Sequence, residues 1–458
     1  MIWRDAADFF LLLTAFFLFS VNRLLAFLQE VIFTEKLIKE GKSSRAVLAS
    51  VMTKDSDERD FEASLDELCR LAETAGAEVF AKVVQNKEAP DPRTYMGSGK
   101  VAELAELCKN NEINIVIFDC ELSPSQIKNL EDDIGEEITV LDRSMLILDI
   151  FALHAKSGEG KMQVELAQLG YTVPRLTGHG AELSRLGGGI GTRGPGESKL
   201  ETDRRHVRRR IDALRAQISE LEKNRATQRA ARDRSGIFRV GIVGYTNAGK
   251  STLLNALTGA GVLSEDKLFA TLDTTTRKYS LPSGEKLLLT DTVGFIRNLP
   301  HHLVEAFKST LDEVRFSDAL LIVVDIHDPE YPRQTEVTEK LIDELGAGAL
   351  PRLYIYNKCD LPHACAPRTP TAENVYISAL SGEGMDAFSE KLGELIRAGK
   401  QTLTFMLPSD GGNIVSFLYS ESDVLSCEYT EDGIKIRAAV DAKTAGLLKK
   451  YIDDGNGD

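Results

Sequence analysis

The chain has little of what metal clusters and disulfide frameworks are built from. Its 458 residues include six cysteines and seven histidines. Cys69, Cys108, Cys120, Cys359, Cys365 and Cys427 are scattered without paired ligand spacing. That excludes a disulfide scaffold and the common zinc modules, and it points to a reducing cytosol. An excess of positive charge is also missing. Seventy acidic against 55 basic residues give a net charge of −15, which argues against a general nucleic-acid binder unless basic residues cluster locally. No apolar run reaches the ~20 residues that a spanning helix needs. The longest, Phe9 to Val21, stops at Asn22-Arg23, and no small-residue cleavage site is evident before Glu30. Residues 1–33 therefore read as an apolar extension outside the working protein, as from a misplaced start codon, with a membrane-associating helix and a core helix left open. The remaining composition, 43% apolar and 27% charged, is that of an ordinary globular protein with about three domains.

What the chain does have is centred on residues 238–252. The apolar run Val240, Ile242, Val243 leads into Gly244, Tyr245, Thr246, Asn247, Ala248, Gly249, Lys250 and Ser251, and a helical pattern follows from Thr252 to Leu257. The spacing G-x-x-x-x-G-K-[ST] between a strand and a helix lets backbone N–H groups wrap a phosphate chain at the helix's positive end. Lys250 can then reach the outer phosphates, and the Ser251 hydroxyl can ligate Mg2+. Downstream, Leu287 to Thr290 is an apolar strand that ends in Asp291, Thr292, Val293 and Gly294. In this order Asp291 is expected to hold Mg2+ through water, and the Gly294 N–H to sense the γ-phosphate. Asn357, Lys358, Cys359 and Asp360 follow the apolar run Leu353 to Tyr356, where α/β folds place ligands. A carboxylate at Asp360 can accept from guanine N1–H and from its exocyclic amine, whereas adenine offers no such donor pair. Ser378, Ala379 and Leu380, after Val375 to Ile377, are the expected second contact to the base. The position after Gly294 is Phe295, where many GTPases carry a water-orienting glutamine. A phenyl ring makes no such hydrogen bond, so slow intrinsic hydrolysis is expected. His301 and His302 are alternative water-orienting candidates, set against a role as surface residues of a switch.

Before this region, residues 34–143 alternate apolar runs (Ala46–Val51, Glu78–Val84, Ile113–Phe118, Ile138–Leu141) with helical patterns near 61–75, 100–109 and 123–130. Such alternation predicts a small α/β domain on a parallel sheet. Residues 144–235 predict a helical hairpin, roughly Ser144–Gly170 and Leu200–Arg232. In its second arm Val207, Ile211, Leu214, Ile218 and Leu221 form a packing seam, and Arg204, Arg205, Arg208, Arg209, Arg210 and Arg215 form a face that is either solvated or phosphate-contacting. The connector contains Gly189-Ile190-Gly191-Thr192-Arg193-Gly194, formally a dinucleotide fingerprint. No apolar strand precedes it, and Pro195 and Gly196 are expected to separate it from the next helix, so that reading is set aside. A glycine-rich tip with Arg185 and Arg193 suits a narrow, phosphate-lined space, a flexible connector being the alternative. Residues 236–400 form the nucleotide-binding domain. Residues 401–458 predict a small α+β domain with a strand at 402–407, a helix near 413–419, two strands about the Glu431-Asp432-Gly433 turn and a final helix.

Gly97-Ser-Gly-Lys100, Leu122 to Leu130, Asp142-Arg143, Glu159 to Gln168, Gly189 to Glu197 and Gly244 to Ser251 together resemble the HflX family of translational GTP-binding proteins, in the TrmE-Era-like superfamily. The likeness runs from about Arg45 to about Ala398, and residues before Thr34 have no place in it. It implies an α/β protein whose P-loop GTPase domain is preceded by a small α/β domain with a long helical hairpin and followed by a small α+β domain. It also implies a GTPase that binds the large ribosomal subunit and its RNA and splits or rescues stalled ribosomes under stress. A GTP-gated factor in ribosome biogenesis or RNA modification or remodelling is the alternative. Further alternatives are a metabolic or RNA-modifying enzyme gated by GTP with its chemistry in the amino-terminal domain, which shows no convergent His/Cys/Asp set, and a membrane-tethered regulator. By the same resemblance Phe269, Ala270, Thr271, Leu272 and Asp273 form the first switch, with Thr271 the second Mg2+ ligand and Thr274, Thr275 and Thr276 close by. Asn247 either helps to hold K+ or bonds within its loop. A monomer in the cytoplasm is expected, with membrane association only through residues 1–33.

Overall fold

The computed structural model describes residues 44–174, 195–235, 237–259, 268–269, 272, 274–298, 303, 308–362, 369, 371–398, 401–430, 433–440 and 442–453. The expectations about residues 1–33, the glycine-rich tip, Ala270, Thr271, Asp273, His301 and His302 lie outside them. The chain divides into two compact units, residues 1–214 and 215–458.

The first unit is built on four strands, β1 (Ser44–Met52), β2 (Ala77–Asn86), β3 (Ile115–Phe118) and β4 (Thr139–Asp142), in the order β2-β1-β3-β4 and all parallel. Parallel strands need crossovers, and these are α1 (Glu58–Thr74), α2 (Ser98–Asn110) and α3 (Pro124–Ile134). α3 starts at a reciprocal cap in which the Ser123 side chain and the Gln126 side chain each accept the other's backbone N–H, with Pro124 in the first turn. Val47, Ala49, Val116, Phe118 and Val140 fill one face together with Leu104 and Leu130.

The stretch expected as one helix over 144–170 is two, α4 (Arg143–His154) and α5 (Gly158–Thr172). Ala155 turns extended, and the Ser157 hydroxyl accepts the Gly160 N–H at 2.8 Å, so a new helix is capped where the first ends. α6 (Pro195–Ser235) spans 41 residues. Pro195 and Gly196, expected to stand between the glycine connector and the helix, are its first two residues, because proline's missing N–H costs nothing in a first turn. α5 and α6 pack through Leu169, Val207 and Leu214 with Ile211 half-buried among them, whereas Ile218 and Leu221 lie outside that cluster. Arg210 does not belong to an outer basic face. It forms a two-pronged ion pair with Glu165 of α5, at 2.7 Å on both prongs.

At the carboxyl edge of the sheet an ion-pair network closes the unit. Arg143 is buried; its guanidinium bonds Asp119 Oδ1 at 2.6 Å and pairs with Glu67, and the Ser64 hydroxyl bonds Asp119 Oδ2 at 2.6 Å. The Tyr171 hydroxyl donates to Asp142, tying α5 to the end of β4. Because removal of one member strands buried charge, Arg143→Met is expected to destabilise this unit by about 3–5 kcal/mol. Denaturant unfolding followed by circular dichroism checks this, and a loss under ~1 kcal/mol would contradict it.

The second unit carries β5 (Phe238–Gly244), α7 (Lys250–Thr258), β6 (Thr275–Ser280), β7 (Lys286–Asp291), α8 (Lys308–Arg315), β8 (Ala319–Asp325), α9 (Tyr331–Glu344), β9 (Arg352–Asn357), β10 (Asn374–Tyr376) and α10 (Met385–Ala398). The six strands order as β10-β9-β8-β5-β7-β6, parallel except for β6. Val240, Ile242, Leu287, Leu289, Leu321, Val323 and Ile355 are fully or almost fully buried, as expected for strands covered on both faces. The carboxy-terminal elements β11 (Gln401–Leu407), α11 (Gly412–Glu421), β12 (Asp423–Thr430), β13 (Gly433–Val440) and α12 (Ala442–Leu447) form an antiparallel sheet in the order β11-β13-β12 over a core of Phe405, Leu418, Ile436 and Val440.

Candidate nucleotide site

Strand register brings the site together. Ile242 of β5 lies beside Asp291 of β7, Gly244 beside Val323 of β8, and Asp325 of β8 beside Asn357 of β9. Three motif ends and the end of β8 therefore meet at one carboxyl edge, where helix α7 begins.

The phosphate loop turns on Gly249, whose φ is +96° and which immediately precedes α7. A Cβ there would also overlap the Asn357 amide nitrogen. That amide is a strut: its Nδ2 donates to the Ala248 carbonyl at 2.9 Å and its Oδ1 accepts the Ala379 N–H at 2.9 Å. One buried side chain thus joins the phosphate loop, the Asn357–Asp360 segment and the Ser378–Leu380 segment, a role the motif spacing did not reveal.

Lys250 is buried, and its ammonium donates to the Tyr245 carbonyl at 2.7 Å. Desolvation lowers its pKa to about 8, opposed by the nearby Asp291 carboxylate. Asp291 is buried too and its pKa is raised by desolvation, with Lys250 and the Ser251 hydroxyl pulling the other way. Ser251 Oγ donates to Asp291 Oδ2 at 2.6 Å, while Asp291 Oδ1 and the Thr246 hydroxyl are buried and find no side-chain hydrogen-bond partner among the described residues. A buried carboxylate oxygen left over beside a serine hydroxyl is a hard oxygen donor set, and it fits a Mg2+ ion with its waters. An ammonium aimed across the same loop fits the phosphates.

The side chains of other predicted residues are engaged or buried within the protein. The Thr292 hydroxyl is committed to the Ile242 carbonyl at 2.8 Å, and Val293 is buried. The Cys359 thiol points to the Tyr356 carbonyl at 3.4 Å, and Phe269 and Leu272 are 2% exposed, which leaves no side chain of these three free to meet a base. Asp360 is exposed and Leu380 is 82% exposed, so both are open to solvent. Lys358, at φ +67°, is held by Asp325 at 2.7 Å. Asp325 was not singled out from sequence, although its position at the end of the apolar run Ala319–Val324 was a usable signal. The Phe295 ring is 1% exposed among Val243, Leu311, Val314 and Leu320, so the side chain after Gly294 faces the core and not the nucleotide.

Among known proteins, GTPase HflX of Caldanaerobacter subterraneus subsp. tengcongensis is 48% identical over 410 residues, covering 89% of this chain and 94% of that relative. The chain belongs to the HflX family of GTPases. Other HflX relatives agree: that of Lacrimispora saccharolytica is 45% identical over 92% of this chain and all of its own length, and that of Escherichia coli K12 is 40% identical over 85% and 91%. Three family models match along the HflX chain, described as the GTP-binding GTPase N-terminal region (residues 62–152), the GTP-binding GTPase middle region (154–232) and a 50S ribosome-binding GTPase (239–358). As an HflX GTPase the protein binds GTP and hydrolyses it to GDP and phosphate.

Proposed function

We propose that this GTPase works on the large ribosomal subunit, using GTP to split or rescue stalled ribosomes under stress. The observation that carries the reading is the match of residues 239–358 to a family model described as a 50S ribosome-binding GTPase. Two physical features support it. The buried ring of Phe295 leaves the position directly after Gly294 without a water-orienting side chain, so slow turnover alone and acceleration by groups or ordering from outside are expected. The second is α6, on which Arg208, Arg209 and Arg215 are exposed and suit a phosphate backbone. In the same reading Ser251, Thr271 and, through water, Asp291 hold Mg2+, which neutralises phosphate charge when bound, and Asn247 helps to hold K+. Lys250 and the loop N–H groups bind the phosphates, and Asp360 selects guanine.

The test is co-sedimentation with purified large subunits in GDP and in a non-hydrolysable GTP analogue, across a salt series. Binding is expected to favour the analogue. The triple variant Arg208→Glu, Arg209→Glu, Arg215→Glu is expected to bind at least about tenfold more weakly and to flatten the salt dependence. Unchanged affinity would remove α6 from the interface.

A further inference from the structure

The chain that follows Gly294 is fixed to the phosphate loop by hydrogen bonds that motif spacing does not reveal. The Phe295 N–H donates to the Gly244 carbonyl at 3.1 Å, and the Thr246 N–H donates to the Phe295 carbonyl at 2.8 Å. The Arg297 N–H then donates to the Tyr245 hydroxyl at 2.8 Å. The Arg297 guanidinium reaches Glu330 Oε2 at 2.6 Å, with side-chain exposures of 12% and 31%. Glu330 is itself set by its N–H bond to Asp328 Oδ1 at 2.9 Å, just ahead of α9.

Gly294 sits between two anchors, the Thr292 hydroxyl on Ile242 and the buried ring of Phe295. It lies so close to the loop that a Cβ on it would stand 2.8 Å from Thr246 Cγ2 and 3.0 Å from Lys250 Nζ. Its backbone is thus preset beside the phosphate loop and the Lys250 ammonium. We infer that Arg297, Glu330 and the Tyr245 hydroxyl are positioning residues for GTP hydrolysis, holding the Gly294 N–H where the γ-phosphate arrives. The ion pair acts through Arg297 on the backbone, and none of the three touches the reacting atoms. This goes beyond the motifs of the GTPase reaction and is independent of any ribosomal partner.

A preset donor helps only the ligand that uses it. GDP has no γ-phosphate, so loosening the segment lowers the fraction competent for GTP and leaves GDP alone. The experiment measures GDP affinity, affinity for a non-hydrolysable GTP analogue, and single-turnover GTP hydrolysis for the wild type, Glu330→Gln and Tyr245→Phe. Hydrolysis is expected to fall about tenfold in each, since small misplacements of a catalytic donor are costly. Analogue affinity is expected to fall about fivefold while GDP affinity stays within about twofold. Tyr245→Phe deletes one oxygen and keeps the ring, so it tests the idea even if the Glu330 variant folds poorly. The charge swap Arg297→Glu with Glu330→Arg is expected to recover the analogue-over-GDP preference that each single change loses. A parallel loss of both affinities, or an unchanged preference and rate, overturns the assignment.

Discussion

Replacing Gly294 by alanine is expected to cut GTP turnover at least ~100-fold, the cost of displacing a catalytic group by about 1 Å. The added methyl would meet Thr246 Cα at 2.9 Å and Lys250 Nζ at 3.0 Å, and neither can yield easily. Thr246 is held by its N–H bond to the Phe295 carbonyl, and the Lys250 ammonium by the Tyr245 carbonyl. The Gly294 segment must therefore back away from the loop, taking its N–H out of reach of the γ-phosphate. GDP affinity is expected to change less than turnover, because GDP lacks the phosphate that this N–H is expected to meet. The check is single-turnover hydrolysis beside GDP binding. Full activity in Gly294→Ala would mean that this N–H takes no part in the reaction.

Asp360→Asn is expected to weaken GTP binding by about 100-fold, the loss of one charge-assisted hydrogen bond, and to raise affinity for XTP. The carboxylate would accept two hydrogen bonds from guanine, whereas an amide turns one acceptor into a donor. Xanthine carries an oxygen where guanine has its amine, so the amide suits it. Asp360 lies exposed at the end of the β9 loop, and the fold-bearing neighbour is Asn357, so the exchange should not disturb the site's frame. Competition binding with GTP and XTP decides the matter. Equal losses for both nucleotides would show that Asp360 supports its loop instead of reading the base.

Much of this was legible in the sequence because the signals are local. The strands Val240–Val243, Leu287–Thr290 and Leu353–Tyr356 are short apolar runs, each followed at once by a polar motif. The four-stranded amino-terminal sheet followed from the same alternation. What was not legible depends on partners distant in the chain. Arg297 and Glu330 are 33 residues apart, and Arg210 and Glu165 are 45 apart, so only the fold makes pairs of them. The Asn357 amide spans 109 residues to Ala248, and the motif gave its place without its task as a strut. The break between α4 and α5 was missed for another reason. Apolar residues continue through Leu153 and the helical period resumes at Met162, which hid the capping serine at 157.

The measurement that tests the central claim most directly is GTP turnover by the purified protein, alone and with large ribosomal subunits or whole ribosomes, with subunit separation followed by sedimentation. Slow turnover alone, strong stimulation by the large subunit and separation of whole ribosomes are the expected results. Turnover indifferent to ribosomes, with no co-sedimentation in either nucleotide, would contradict the account.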